Sequence, residues 1–380
     1  MSLKKKETLG GGEATQPAAR GAQTARKLVV LPDEAVDMLH RAYDIGDWLS
    51  WERILEGRSN HSFFVSASSG NYVLRRSNTR KSVGKDAEAV RFEVRLIDHL
   101  RERGYPAPQI IPTRGSERYV EHDGLFYLMT AFIAGSSYDP ENPEHLLAAG
   151  DGLGRYHRLV RTLSGPYYAH RSSLLTNLGP EGIGVLDEVK LLAEPFLDIE
   201  ERKRLQDSVS YLQNQFVGVY RAIVEVYPGL SKLVIHGSFG GSALIFAGDT
   251  LIGVVDYDRA RFEVRAMDLA VTIKGFCRDD KSGEDYWVGL DYARCRDLLA
   301  AYREVETLPK EELRALPLIF RGQHLGKVRE RCENLVNKNA VVPQEDKEVR
   351  RKVTKVEKET ARLRWLETHG TDLVAALVDG

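Results

Sequence analysis

Residues 233–258 hold the chain's most restrictive pattern. Leu233-Val234-Ile235 is an apolar run that stops at His236-Gly237-Ser238-Phe239-Gly240-Gly241-Ser242. Ala243-Leu244-Ile245-Phe246 follows, Gly248-Asp249 turns, and Leu251-Ile252-Gly253-Val254-Val255 runs straight into Asp256-Tyr257-Asp258. Short apolar runs bounded by Gly, Asp and Ser read as buried strands joined by a loop and a hairpin. Each outer run ends on polar side chains. A carboxylate at the end of an apolar strand has to have a partner or a task, because desolvating it alone is costly.

Helical periodicity surrounds this unit, over residues 146–160, 204–227, 267–276, 292–304 and 313–336. Upstream the character differs. Residues 50–56, 63–67 and 72–76 alternate like three strands of a meander, with Gly57-Arg58-Ser59-Asn60-His61-Ser62 between the first two. Pro32-Asp33-Glu34 opens a short helix. A longer helix over 86–103 puts Val90, Val94, Ile97 and Leu100 on one stripe, and two more strands, 118–121 and 125–132, flank His122-Asp123-Gly124. The expected organisation is a tail over residues 1–28, a β-rich lobe over 29–132 and a helical lobe over 133–380.

Composition narrows the function. With 42% hydrophobic and 29% charged residues over 380 positions, the chain can bury a sizeable core. A net charge of −1 gives no global attraction to nucleic acid or to an anionic membrane, so neither is an expected partner. No apolar stretch is long enough to span a bilayer. Cys277, Cys295 and Cys332 are far apart and odd in number, which reads as reduced thiols in a cytoplasmic protein. The first 26 residues are too polar to pack and lack the apolar core of a signal peptide. Their Lys4–Lys6 run is either solvated or touches an acidic partner. Near the far end, Val349, Val353, Val356, Leu363 and Leu366 form one stripe of a charged helix that either packs back on its own domain or binds a partner. Arg321, His324, Lys327 and Arg331 share a side of the 313–336 helix, as a solvated face or as a site for an anionic group.

The motif order, His236-Gly237, then Phe246, then Val255-Asp256-Tyr257-Asp258, then Asp268-Leu269-Ala270, resembles the aminoglycoside phosphotransferase family over residues 30–340. That group includes homoserine and choline kinases. The resemblance implies an α+β, two-lobe protein-kinase-like fold: a small antiparallel sheet with one helix, then a larger, mainly helical lobe. It implies ATP and Mg²⁺ as cofactors and a small molecule bearing a hydroxyl as substrate, whether an aminoglycoside, an amino alcohol or a hydroxy amino acid. Gly57, Ser59 and Asn60 then sit where a turn lays N–H groups over phosphates, although an ordinary hairpin loop would read the same. Arg75, where the family has a strand Lys or Arg, would grip phosphate and pair with Glu93, with Arg76 as the slipped alternative on the opposite face. Thr130 and Phe132 lie in the segment whose backbone meets an adenine edge in the family. Asp256 takes the magnesium position, with a turn acid as the plain alternative, and Asp258 lies two residues on. Asp268 would cap a helix or hold the loop.

Two positions depart from the family pattern, in which His-Gly-Asp is followed five residues later by Asn. Ser238 stands where the family has its catalytic Asp, directly after His236-Gly237, and Ala243 where it has a metal-binding Asn. Serine is too weak a base for a carboxylate's work near neutral pH, and alanine offers a metal no oxygen. The expectation is a phosphotransferase-family chain impaired at its catalytic loop. The alternative is an inactive kinase relative that binds a nucleotide or ligand. A natural loss and a deliberate inactivation read identically, and the oligomeric state is not legible.

Overall fold

Five antiparallel strands in the order β1-β2-β3-β5-β4 form the first sheet: β1 Trp48–Ile54, β2 His61–Ala67, β3 Gly70–Arg76, β4 Val120–His122 and β5 Leu125–Ala131. The computed structural model describes residues 31–54, 61–77, 87–166, 173–179, 181–278, 289–341 and 346–378. Period-two alternation sends Phe63, Val65, Leu74, Tyr127 and Met129 into a core shared with Trp48 and with Tyr43. Helix α1 (Asp33–Ala42) adds Ala35, Val36 and Leu39 to that core, and acids in its first turn and His40-Arg41 in its last suit the helix dipole. Helix α2 (Ala87–Glu102) buries a stripe that includes Val90, Glu93 and Ile97. These elements, through Glu102 and over Ala107–Ala134, make one unit.

The second unit holds Arg103–Pro106 and the chain from Gly135 onward. Its helices are α3 (Pro143–Val160), α4 (Leu174–Asn177), α5 (Glu181–Ala193), α6 (Ile199–Val226), α7 (Ala266–Phe276), α8 (Tyr292–Arg303), α9 (Lys310–Val341) and α10 (Asp346–Val378). Two small sheets lie among them. One has the order β6-β8-β9, from Ser136–Ser137, Leu244–Ala247 and Thr250–Val254; the other pairs β7 (Lys232–Ile235) with β10 (Arg261–Val264). Sequence periodicity passes over α5, β6 and β10; β6 and β10 are very short, whereas α5 buries Val185, Leu186, Val189 and Ala193 at helical spacing and exposes Asp187 and Glu188.

Caps fix the ends. Asn142 caps α3, Asp291 caps α8, and Asp198 with Glu201 closes a reciprocal capping box on α6. Gly150 lets α3 approach α8, since a Cβ there would meet the Leu298 carbonyl at 2.3 Å. Helix α10 buries Val349, Val353, Val356, Leu363 and Leu366 against its own unit, so its stripe is core. The three cysteines are buried free thiols.

Arg265 is the largest charged group in this core. Its guanidinium forks onto Glu312 at 2.7 and 2.9 Å and reaches Glu306 at 3.1 Å and the Thr307 carbonyl at 2.8 Å. Removing one partner of such a cluster strands a buried charge, whereas removing the pair does not. Arg265→Met is expected to cost roughly 3–5 kcal/mol in denaturant unfolding. The double change Arg265→Met with Glu312→Met is expected to recover much of that loss. A single-variant cost below about 1 kcal/mol, the range of exposed pairs, would contradict the reading.

Candidate functional site

Arg75 lies on β3, between β2 and β5, in register with Ser62 and Leu128. Its guanidinium meets Oε1 of the buried Glu93 on α2 at 2.5 Å. Pleating sends the next residue the other way, and Arg76 lies by the Tyr127 hydroxyl. The first unit therefore brings together Arg75 and Glu93, not Arg76 and Glu93. Gly57, Ser59 and Asn60 lie outside the described residues. Thr130 pairs with Val73 and bridges Ile110. Phe132 is half-exposed with its ring edge-on to Phe64, and its N–H donates to the Asn71 carbonyl at 3.0 Å. The Ala131 N–H likewise donates to Gln109 at 2.8 Å.

In the second unit the chemistry-bearing loop leaves β7 at Ile235. The N–H groups of His236 and Gly237 donate to the two carboxylate oxygens of Asp268, at 2.6 and 2.7 Å. Gly237 has φ +78°, and a Cβ there would strike the Arg259 carbonyl at 2.6 Å, so only glycine fits. Asp268 sits fully buried in the first turn of α7. Burial pushes its carboxyl up, but the His157 hydrogen bond, the two nearby imidazoles and the Gly237 N–H outweigh this and hold it below the usual carboxylate range. His157 Nε2 meets Asp268 at 3.2 Å and its Nδ1 meets the Tyr302 hydroxyl at 2.9 Å. Burial keeps the His157 ring neutral, so Nε2–H donates to Asp268 and the tyrosine donates to Nδ1.

His236 is also buried and neutral, burial being the main cause. Its Nε2–H donates to the Val255 carbonyl at 3.1 Å, while Nδ1 faces Ser238 Oγ at 3.3 Å. Ser238 donates its hydroxyl to the Asp256 carbonyl at 2.9 Å. These bonds tie the loop to the end of β9. Ala243 is fully buried in a 3₁₀ turn and its carbonyl accepts from the Val255 N–H at 2.9 Å. His236, Ser238, Ala243 and Asp256 thus meet in one hydrogen-bonded loop pair. A Ser–His hydrolase is unsupported, because the far imidazole nitrogen is held by a backbone carbonyl and not by a carboxylate.

Asp256 adopts the left-handed conformation, φ 69° and ψ 49°, and is exposed, whereas Asp258 is buried. A non-glycine residue held in that region costs energy that surrounding structure has to impose, as often occurs at functional sites. Among the described residues no group of three or more His, Cys, Asp or Glu side chains is arranged to hold a metal. One exposed carboxylate suits a hard cation that takes its other oxygens from water and substrate phosphates, as magnesium does.

The charged side of α9 departs from both sequence readings. His324 pairs with Glu359 at 2.6 Å, Arg331 with the same carboxylate at 2.5 Å, and Arg321 with Gln215 at 2.6 Å. Three of its four residues are therefore spent on neighbouring helices, a seam visible only once α10 is placed.

Asp268→Asn keeps the shape but loses the charge that two N–H donors and His157 share. Charge-assisted bonds of this kind contribute roughly 1.5–3 kcal/mol each. The native carboxyl is held below its unfolded value of 3.8, so its contribution is complete above that pH and is lost as pH falls toward the lower native value. Thermal unfolding against pH is expected to show Asp268→Asn less stable at pH 7 and less sensitive to acid below about 4. Parallel acid limbs in the two proteins would contradict this.

The phosphotransferase enzyme family profile matches residues 50–308. Homoserine kinase of Bradyrhizobium diazoefficiens is 28% identical over 299 residues, covering 77% of this chain and 81% of that protein. Homoserine kinase of Parvibaculum lavamentivorans is 26% identical over 312 residues, covering 81% and 87%. An aminoglycoside phosphotransferase from Alicyclobacillus acidocaldarius superposes with a TM-score of 0.61 at 16% identity, covering 92% of this chain and 98% of that one. An amicoumacin kinase in complex with AMP-PNP and Ca²⁺ gives 0.63 at 10%, covering 87% and 92%. These neighbours share the α+β kinase-like fold, and the chain belongs to the phosphotransferase enzyme family.

Proposed function

We propose that this chain is a nucleotide-binding member of its family whose lineage transfers the ATP γ-phosphoryl to a hydroxyl of a small molecule, and whose own transfer step is attenuated at the catalytic loop. One observation carries the reading: Ser238, at the position of the family's carboxylate, spends its hydroxyl on the Asp256 carbonyl. Phosphoryl transfer asks a protein to position its reactants and to offset spreading negative charge. Arg75, fixed by Glu93, supplies cationic charge for phosphate. Asp256 presents an exposed carboxylate that would hold Mg²⁺. The metal, when bound, neutralises phosphate charge. Backbone carbonyls near Thr130 and Phe132 remain for an adenine edge, since the N–H groups of Ala131 and Phe132 are already taken.

Ser238 cannot accept the acceptor's proton as a carboxylate would, a loss worth typically about 10²–10⁴-fold. Ala243 presents only a methyl group. The homoserine kinase relatives and the aminopropanol kinase among the solved structures support a small hydroxyl acceptor. Buried free thiols support a reducing, cytoplasmic setting. A protein that binds its ligands and transfers nothing is the second reading, favoured by the fully buried Ala243, where no ligating oxygen is presented.

The two readings separate on reversion. Ser238→Asp with Ala243→Asn is expected to hydrolyse ATP at least about tenfold faster than the parent, roughly 1.4 kcal/mol in barrier. Each single change should do less, because residues that act as a unit are not additive. Equal steady-state rates, with nucleotide bound by both proteins, would favour the binding-only reading.

A further inference from the structure

Helix α6 turns one face outward. From Arg202 to Ser210 that face is polar, with Arg202, Lys203, Gln206, Asp207 and Ser210 exposed. Over the later turns it changes. Val217, Tyr220 and Val224, spaced i, i+3 and i+7 on one stripe, are 40%, 38% and 43% exposed. Gly218 beside them is exposed too, and a Cβ built on it would meet nothing within 4 Å. The core lies on the other side of the helix, where Leu212, Phe216, Val219 and Ile223 are buried. The helix therefore packs one apolar stripe and leaves a second, shorter one in water. An amphipathic helix on a domain surface needs only the first. A contiguous exposed apolar patch rimmed by charge marks a place where another surface docks.

The charges on the rim identify the partner. Arg221 and Glu225 are exposed, one turn apart, on the flank of the stripe away from Tyr220. Neither side chain makes an ion pair or a hydrogen bond among the described residues. Arg precedes Glu here, the weaker order for a pair within one helix. Such a flank complements its own antiparallel image. With a two-fold axis level with Ile223, Arg221 of each copy falls opposite Glu225 of the other. The same register sets Val224 beside the axis, where it meets its own copy. A two-fold axis also keeps like flanks together, so the Tyr220 flanks meet on the far side. A flank carrying one sign of charge alone would repel its copy, whereas this one attracts it.

We propose that the C-terminal half of α6 is a homodimer interface, in which two copies of this chain pack antiparallel through Val217, Tyr220 and Val224 and close two reciprocal Arg221–Glu225 ion pairs. One helix–helix contact is small among specific interfaces, so the dimer is reversible, with a Kd on the order of micromolar to tens of micromolar. Exposed ion pairs contribute little each, so the apolar stripe supplies the affinity and the charges fix the register. None of these residues belongs to the loop or nucleotide groups described above. The interface therefore stands or falls separately from the phosphotransferase reading.

The test is sedimentation equilibrium of the full chain, from about one to a few hundred micromolar. The parent is expected to show a monomer–dimer equilibrium within that range. Each substitution acts twice in a two-fold interface. Val224→Glu is expected to weaken the dimer at least about tenfold, and Arg221→Glu and Glu225→Arg by about tenfold each, through like charges set opposite one another. The double change Arg221→Glu with Glu225→Arg restores opposite signs across the axis and is expected to return to within about threefold of the parent. All three positions are exposed, so the melting temperature of each variant is expected to match the parent's. A parent that stays monomeric at the highest concentration leaves the face to another occupant and overturns the proposal. A dimer unaltered by Val224→Glu overturns it by placing the interface elsewhere. A double change no better than the single reversals overturns it likewise.

Discussion

The carboxylate of Asp268 holds the second unit's functional loop in shape. It accepts the N–H groups of His236 and Gly237, and His157 reaches the same group from α3. From His157 the polar chain continues to Tyr302, then to Arg265, and so to Glu306 and Glu312. A buried network of this kind is favourable only when its members are satisfied together. The loop conformation, the end of β9 and the starts of α7 and α9 are consequently one mechanical unit. Ser238 and Ala243 contribute no side-chain group to the bonds that Asp268 makes. The anchoring of the loop by Asp268 is therefore independent of the side chains at positions 238 and 243.

The separation between scaffold and chemistry also explains the placing of Asp256. Its carbonyl is held by Ser238 and the preceding Val255 carbonyl by His236, while the side chain stays exposed in a left-handed turn. The strain of that turn is supported by the loop opposite. Arg75 is placed by different means in the first unit, where a central strand and the buried Glu93 fix its guanidinium. Arg75 is thus held by bonds of its own unit, whereas the backbone of Asp256 is held in part by Ser238 itself.

Much of this was legible in the sequence because it rests on local pattern. Short apolar runs ending in Gly and Asp gave the strands around Ser238 and Asp256, and pleat alternation separated Arg75 from Arg76. What was not legible depends on distant partners. The role of Asp268 was open between a cap and a loop anchor until His236, Gly237 and His157 converged on it. Arg321, His324 and Arg331 read as a solvated or anion-binding face because the Glu359 that pairs with two of them arrives on α10. Helix α5 was legible in principle, since Val185, Leu186, Val189 and Ala193 recur at helical spacing between exposed acids.

The central claim is that a nucleotide site outlasts the loss of transfer chemistry, and direct titration of ATP tests it. Calorimetry of the parent with ATP, with and without Mg²⁺, and of Asp256→Ala under the same conditions, is the measurement. The account predicts binding by the parent that strengthens with magnesium, and weaker binding by Asp256→Ala with most of the magnesium dependence gone. No heat and no thermal shift in the parent at about millimolar ATP would contradict it.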